Sequence, residues 1–220
     1  QSQRFENYRC MYTRTTGIWQ TVWMEPVPES YLRRSRLTPD AANGIIHLSQ
    51  PIHNNHAGFT LQARLTDAQE EICLATCKTD LTMAPQLSLL IPEERRRFWS
   101  PGDPFLYDLE IELLDGTGKR VDHLTSYVGL RNIAIDGKAI KLNGQPVFQR
   151  LVLDQGFYPD GILTAPSDDA LRQDIELSLA AGFNGARLHQ KAFEERYLYY
   201  ADRLGYLVWG EFADWGCYGF

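Results

Sequence analysis

The chain has no apolar run near the roughly 18 residues that a membrane-crossing helix needs, and its first ten residues, QSQRFENYRC, lack the apolar core of a signal peptide. No G-x-G-x-x-G follows a strand, and there is no P-loop and no G-x-S-x-G elbow, which removes the common dinucleotide, nucleotide and serine-hydrolase readings. Positive charge is not in excess either. The 28 acidic and 22 basic side chains leave a net charge of −6, the wrong sign for a surface that neutralises phosphates. Neither nucleic acid nor a membrane is therefore expected as a partner. The two basic runs, Arg33-Arg34 with Arg36 and Arg95-Arg96-Arg97 after Glu93-Glu94, read as solvated edges.

Cysteine is scarce, at positions 10, 73, 77 and 217. Cys73 and Cys77 fall four apart in a strand-like run, which puts them about 13 Å apart, too far for a disulfide. With no second pair or histidines nearby they make no zinc site, and no metal or other cofactor is expected. Free thiols lean toward a reducing compartment and so toward the cytoplasm, while a missing signal peptide says little where the N-terminus is itself a cut end. His47, His53 and His56 straddle a loop but lack a fourth ligand, so they read as a surface loop.

What is present is an ordinary globular composition, 44% hydrophobic and 23% charged. From Tyr12 to Glu25 the chain reads as a strand. Residues 17–24 alternate Ile18, Val22 and Met24 against Trp19 and Trp23, so both faces demand partners that residues 1–11 are too short to supply. Pro26 and Pro28 then mark a linker. Seven short strands follow, at 31–37, 44–50, 58–65, 70–78, 85–91, 105–114 and 119–128. Seven strands in about 100 residues fit an immunoglobulin-like sandwich, here without the disulfide that brackets a core tryptophan. WSPGDPFLY at 99–107 reads as a stiff loop packing Trp99 over the core.

After Gly129 the pattern changes. Asp136-Gly137 and Asn143-Gly144 each sit between short apolar runs, the signature of tight hairpin turns. Buried strands are expected at Val147–Leu153, 183–188 and 206–211. Between them lie a helix capped by Ser167, with Leu171, Ile175 and Leu179 on its buried stripe, and a second helix over 193–204 stopped by Gly205. Alternating strands and helices call for a parallel sheet, whose chemistry gathers at the strands' C-terminal ends. Asp154 and Gln155, Arg187 and His189, and Glu211 fall there. Carboxylates that accept from hydroxyls, beside Arg and His that donate, suit a neutral polyhydroxylated ligand. Each also has a plain structural reading: Arg187 with Glu211 as a salt bridge, His189 as a hydrogen-bonded side chain, Asp154 as the shaper of its own loop.

Four segments, RTTGIWQTVWMEPVP, FWSPGDPFLYDLEIEL with YVGLRNIAI, KLNGQPVFQRLVLDQ, and DIELSLAAGFNGARLHQKAFEERYLYYADRLGYLVWGE, together resemble an internal section of a glycoside hydrolase family 2 enzyme, the β-galactosidase, β-glucuronidase and β-mannosidase group. The resemblance implies three parts: the closing strand of a jelly-roll sugar-binding domain at 1–27, an immunoglobulin-like sandwich at 28–132, and the start of a (β/α)8 TIM barrel at 133–220. It implies that Arg187 orients the nucleophilic glutamate, that His189 contacts sugar, and that Glu211 is a supporting acid. The family histidine sits three residues after the arginine, ahead of an aromatic residue and a proline, whereas RLHQ places His189 two after. Asp154-Gln155 stands where many members carry Asn or Asp followed by His. The family's acid/base glutamate follows an asparagine after the fourth barrel strand and its nucleophile follows the seventh; this chain has no Asn-Glu pair. The resemblance thus implies a carbohydrate substrate, no catalytic glutamate and no activity for the 220 residues alone, and a partial barrel whose edges invite self-association or disorder beyond about residue 140. The competing readings are a non-catalytic carbohydrate-binding or scaffold sandwich and a small flavodoxin-type domain.

Overall fold

Alternation along the chain organises its first half. The computed structural model describes Glu6 and residues 17–80 and 82–212. Nine strands run from Tyr31 to Val128: β1 (Tyr31–Leu32), β2 (Arg36–Asp40), β3 (Ile45–Ser49), β4 (Ile52–His53), β5 (Thr60–Asp67), β6 (Glu70–Lys78), β7 (Gln86–Leu90), β8 (Tyr107–Leu114) and β9 (Arg120–Val128). They pair antiparallel as a four-stranded sheet, β6-β5-β8-β9, a three-stranded sheet, β2-β3-β7, and the short pair β1-β4. Every second residue turns inward: Leu61, Ala63 and Leu65 of β5, Tyr107, Leu109, Ile111 and Leu113 of β8, Ile46 and Leu48 of β3, Leu87 and Leu89 of β7. These form one apolar cluster, so the two sheets are a sandwich closed over a shared core. Burying each Leu or Ile there contributes about 1.5–3 kcal/mol.

The segment 91–107 joins the sheets, and its arginines, expected on a solvated edge or loop, lie in this connecting segment, half-exposed or exposed, with specific partners. Arg96 donates from Nε to the Ile91 carbonyl at 3.1 Å and from Nη2 to the Asn43 carbonyl at 2.7 Å. Arg97 lies over the Phe105 ring, 3.7 Å from its centre. Arg95 reaches Glu70 at 3.1 Å. The Arg96 guanidinium thus satisfies two carbonyls that the chain reversal leaves without ladder partners, while Arg95 and Arg97 pair with carboxylates. The Tyr107 hydroxyl ties in the same segment, accepting from Arg97 N–H and donating to the Arg95 carbonyl, both at 2.7 Å. Trp99 is 1% exposed, as the stiff-loop reading requires, with its N–H on the Leu130 carbonyl. His47 and His53 sit on β3 and β4 rather than in a loop, each exposed.

A hairpin follows, β10 (Ile133–Asp136), β11 (Ala139–Leu142) and β12 (Gln145–Pro146). Asn143 and Gly144 both take positive φ, +51° and +77°, as a two-residue type I′ turn demands.

The chain divides into two compact units, Glu25–Val147 and Gln1–Met24 together with Phe148–Phe220. The second contains β13 (Leu151–Asp154), α1 (Asp168–Ala180), β14 (Gly185–Leu188), α2 (Glu195–Leu204) and β15 (Leu207–Gly210), with the strands parallel in the order β13-β14-β15. Ser167 caps α1 by accepting from Ala170 N–H, and Gly205 ends α2 with φ +72°. Leu171 and Ile175 of α1 and Tyr197 and Ala201 of α2 pack with Ala186, Leu188 and Tyr206 on one face of the sheet. Gly185 cannot be replaced there without movement: a Cβ would lie 2.3 Å from the Leu207 carbonyl oxygen.

Two expectations need correction. The strand expected at Val147–Leu153 begins only at Leu151, because Val147 N–H is spent on Ile140 in the hairpin and Arg150 N–H on the Asn184 side chain. Residues 17–24 form no strand, and Ile18, Val22, Trp23 and Met24 are exposed. A strand exists only where a neighbour completes its ladder, and none of the described residues does so. The part of that expected strand before residue 17, and Cys10 and Cys217, lie outside the described residues.

Candidate functional site at the ends of the parallel strands

The register of the three parallel strands decides which side chains meet. Leu153, Arg187 and Trp209 are cross-strand partners, as are Asp154, Leu188 and Gly210. Successive residues point to opposite faces. Leu188 lies under the helices, while Leu153 and Trp209, 51% and 48% exposed, share with Arg187 the face that no helix among the described residues covers.

On that bare face Glu211 is the meeting point. One carboxylate oxygen accepts from Arg187 Nε; the other accepts from the Gln190 backbone N–H at 3.2 Å and contacts His189 Nδ1 at 3.2 Å. The hydrogen bond from Arg187 is the main reason its carboxyl is held below the ordinary glutamate range, with Gln190 and His189 adding to it. Glu211 is therefore ionised at neutral pH, and the His189 contact requires the proton on Nδ1, leaving Nε2 as an acceptor in the neutral ring. A carboxylate so held cannot serve as a general acid, which needs a raised pKa. Gln190 adopts φ +49°, so the chain after β14 turns sharply to aim this N–H.

Asp154 does not join that group. Its Oδ1 accepts from Gly156 N–H at 2.7 Å, its Oδ2 accepts from Tyr197 Oη at 3.1 Å, and its carbonyl accepts from His189 N–H at 2.8 Å. The carboxylate is thus turned to the helix-covered side, and the single bowl of four side chains expected from strand ends separates into two groups. The cause is parity: Asp154 shares the phase of Leu188, Arg187 that of Leu153. Gln155 is half-buried beside it.

Around Asp154 lies a polar network absent from the sequence reading. Tyr158 Oη donates to Asp174 at 2.8 Å and Tyr206 Oη pairs with Ser178 Oγ. Burial pushes the Tyr158, Tyr197 and Tyr206 hydroxyls up and raises Asp174 as well. Lys191 is also new. It is 8% exposed, and its ammonium donates to the carbonyls of Gly156 and Leu163, both at 2.8 Å. No sequence signal separates it from a surface lysine, whereas Tyr197 was visible on the buried stripe of α2.

No group of three or more His, Cys, Asp or Glu side chains with metal-binding geometry is found among the described residues. No helix among them is long and apolar enough to cross a membrane.

Residues 31–131 match the family model described as Glycosyl hydrolases family 2. A beta-galactosidase of Lactococcus lactis subsp. lactis (strain IL1403) is 25% identical over 201 residues, covering 90% of this chain and 19% of that protein. A beta-glucuronidase of Paenibacillus borealis is 31% identical over 120 residues, 54% of this chain and 20% of that protein. The chain thus spans about a fifth of the length of these curated relatives. Among solved structures, a glycosyl hydrolase family 2 member from Bacteroides cellulosilyticus aligns with TM-score 0.71 and 23% identity over 83% of this chain and 25% of that one. A b-glucuronidase from Ruminococcus gnavus in complex with D-glucuronic acid aligns with TM-score 0.67 and 20% identity over 82% of this chain and 30% of that one. At these identities the two structures speak to fold.

Proposed function

The chain is a relative of the glycosyl hydrolases of family 2, and from that premise we propose that it is a section of a retaining glycoside hydrolase that removes terminal β-linked sugars, β-galactosides first among them. The observation that carries the reading is the convergence of Arg187, His189 and Gln190 on Glu211 at the C-terminal ends of parallel strands, on the face that the helices leave bare. In a (β/α)8 barrel that face is the interior, and its C-terminal rim holds the active site. The βαβαβ run from Leu151 to Gly210 supports reading this unit as the start of such a barrel. The sandwich reads as immunoglobulin-like, since setting aside the short β1-β4 pair its strands divide as first, second and fifth against fourth, third, sixth and seventh, with the Tyr107 hydroxyl on upstream backbone.

In this reading Arg187 spends Nε on Glu211 and presents the remaining guanidinium donors to a nucleophilic carboxylate, fixing its position. His189 Nε2 accepts from a sugar hydroxyl, and Gln155 lies at the same rim. Asp154 acts on sugar only through the loop that it shapes. The chemistry needs two carboxyls about 5–5.5 Å apart, one as acid/base and one as nucleophile. Glu211 fills neither role, and this chain has no Asn-Glu pair to supply an acid/base glutamate, so in this reading the chain alone does not hydrolyse glycosides.

The test has two arms. The purified chain should give no turnover of aryl β-galactoside or β-glucuronide above buffer. The parent protein should turn over one of them and lose activity when Arg187 is changed to Ala. Turnover by the isolated chain, or full activity of the Arg187→Ala parent, sinks the proposal.

A further inference from the structure

The loop between β13 and α1, residues 155–167, is long for a βα connection, yet it is built rather than slack. Tyr158 and Ile162 exchange two backbone hydrogen bonds, at 2.8 and 2.9 Å, and Thr164 N–H returns to the Gly161 carbonyl at 3.0 Å. These bonds close the middle of the loop but do not attach it to the sheet.

Gly156 N–H ties the loop's start to Asp154 and the Tyr158 hydroxyl ties its middle to Asp174 of α1, and the attachment that spans both ends comes from Lys191, just past β14. Its ammonium donates to Gly156 at the beginning of the loop and to Leu163 near its end, 2.8 Å each. The rings of Trp19 and Phe193 flank it, each centre 4.8 Å from Nζ. The space is fitted to it, because a Cβ on Gly156 would lie 2.5 Å from Nζ and 2.9 Å from Phe193 Cζ. The Trp19 side is fastened separately: Thr164 Oγ1 donates to the Trp19 carbonyl at 2.6 Å, Gln20 Nε2 to the Ala192 carbonyl at 2.7 Å, and Arg196 Nη2 to Thr21 Oγ1 at 3.0 Å. Residues 19–21 therefore lie across the same loop and the start of α2, some 145 to 175 positions away in sequence.

We propose that Lys191 is a positioning residue that latches the β13–α1 loop to the end of β14, and that Trp19 is the lid of that latch. In the terms of the glycosidase reading, on which this role rests, the latch shapes the rim beside Arg187 and His189, four and two positions before Lys191. Carbonyl dipoles and two aromatic faces replace the water that a buried ammonium loses.

Replacement is incomplete: burial brings the Lys191 pKa from 10.5 down to about 8, while Asp154 at the end of β13 and Glu194 before α2 oppose the fall. Residues 19–21, the segment laid across it, bring an indole, an amide and a hydroxyl and no titratable group. When the latch opens, Lys191 enters water and regains its ordinary affinity for protons. The open state thus binds more protons than the closed state between about pH 8 and 10.5, and latching tightens as pH rises through that window.

The experiment is hydrogen exchange of the 220-residue chain, reading protection factors for amides 156–166 against those of α1 and β14 as internal controls. Lys191→Met should lower loop protection at least about tenfold, as the loss of charge-assisted hydrogen bonds gives, with the controls unchanged. Trp19→Leu, which leaves the lysine in place, should lower it by a smaller factor. The wild-type loop should gain protection from pH 7 to 9, and the Lys191→Met loop should not. Unchanged loop protection in Lys191→Met, equal loss in loop and controls, or the same pH profile in both proteins overturns the latch. Turnover of aryl β-galactoside or β-glucuronide by the parent protein is measured alongside: absent turnover with an intact latch counts against the sugar reading alone.

Discussion

Tyr197 Oη donates to Asp154 Oδ2 at 3.1 Å, from a ring that is 1% exposed to a carboxylate at the very end of β13. A helix is thereby keyed to a strand end through one hydrogen bond. Tyr197→Phe removes the donor and leaves the ring, so the helical unit should lose about 1–2 kcal/mol, read as a shift of its denaturant midpoint by helical circular dichroism. The hydroxyl's pKa is raised, chiefly by burial, so folded protein keeps the proton where the unfolded chain releases it. Its contribution is fully present below about pH 10 and falls away as pH climbs above that value. The mutant's stability should therefore decline less steeply than wild type above pH 10.

Glu211 titrates in the opposite sense. Its pKa is lowered, first by the Arg187 hydrogen bond, so the interaction contributes fully above 4.5 and is lost as pH falls through the depressed value. Carboxyl carbon chemical shifts followed through an acid titration should place Glu211 below the ordinary range in wild type. In Arg187→Ala the midpoint should move up toward 4.5, leaving only the Gln190 and His189 contributions. A midpoint that does not move would mean that the guanidinium is not the dominant partner.

The sandwich has its own keyed position. Gly44 has φ +69°, and a Cβ there would lie 2.1 Å from Arg96 Nε, whose guanidinium bridges the Ile91 and Asn43 carbonyls. Gly44→Ala adds left-handed strain to that clash and should destabilise by more than about 1 kcal/mol. Arg96→Met leaves two carbonyls without their donor and should cost about 1–3 kcal/mol. Because both act on one contact, the double mutant should lose less than the sum, and full additivity in denaturant melts would refute the coupling.

What could be read ahead of the structure depended on whether neighbours in sequence or neighbours in space decide a residue's fate. The alternation of Leu61, Ala63 and Leu65, the turn at Asn143-Gly144, the Ser167 cap and the Gly205 stop depend on local periodicity and φ preference, and all are found as expected. Ile18 to Met24 alternate just as clearly yet form no strand, because a ladder is a property of two segments. Arg96 reads only as part of a solvated run and nothing singles out Lys191, because their acceptors are backbone carbonyls, which leave no mark in a sequence. Asp154 and Arg187 both end strands, but only the register of β13 against β14 shows that they face opposite sides.

That register also exposes a surface. Leu153, Arg187 and Trp209 run across the bare face of the parallel sheet, with Phe148 78% exposed in the same unit. Among the described residues β13 and β15 are the outer strands of the order β13-β14-β15, so each offers an edge of backbone donors and acceptors. A face with exposed Leu153 and Trp209 on either side of Arg187, and with two such edges, is what native proteins cover or charge to avoid pairing with other chains. The 220-residue chain should therefore associate with itself as concentration rises, seen by sedimentation velocity as a weight-average mass that climbs above the monomer. Trp209→Lys puts a charge on the outer strand β15 of this face without touching the helix-covered side or the sandwich core. It should shift the curve toward monomer, whereas Leu74→Lys, an exposed change on β6, should not. If both variants behave alike, or the wild type stays monomeric across the range, the bare sheet is not the associating surface.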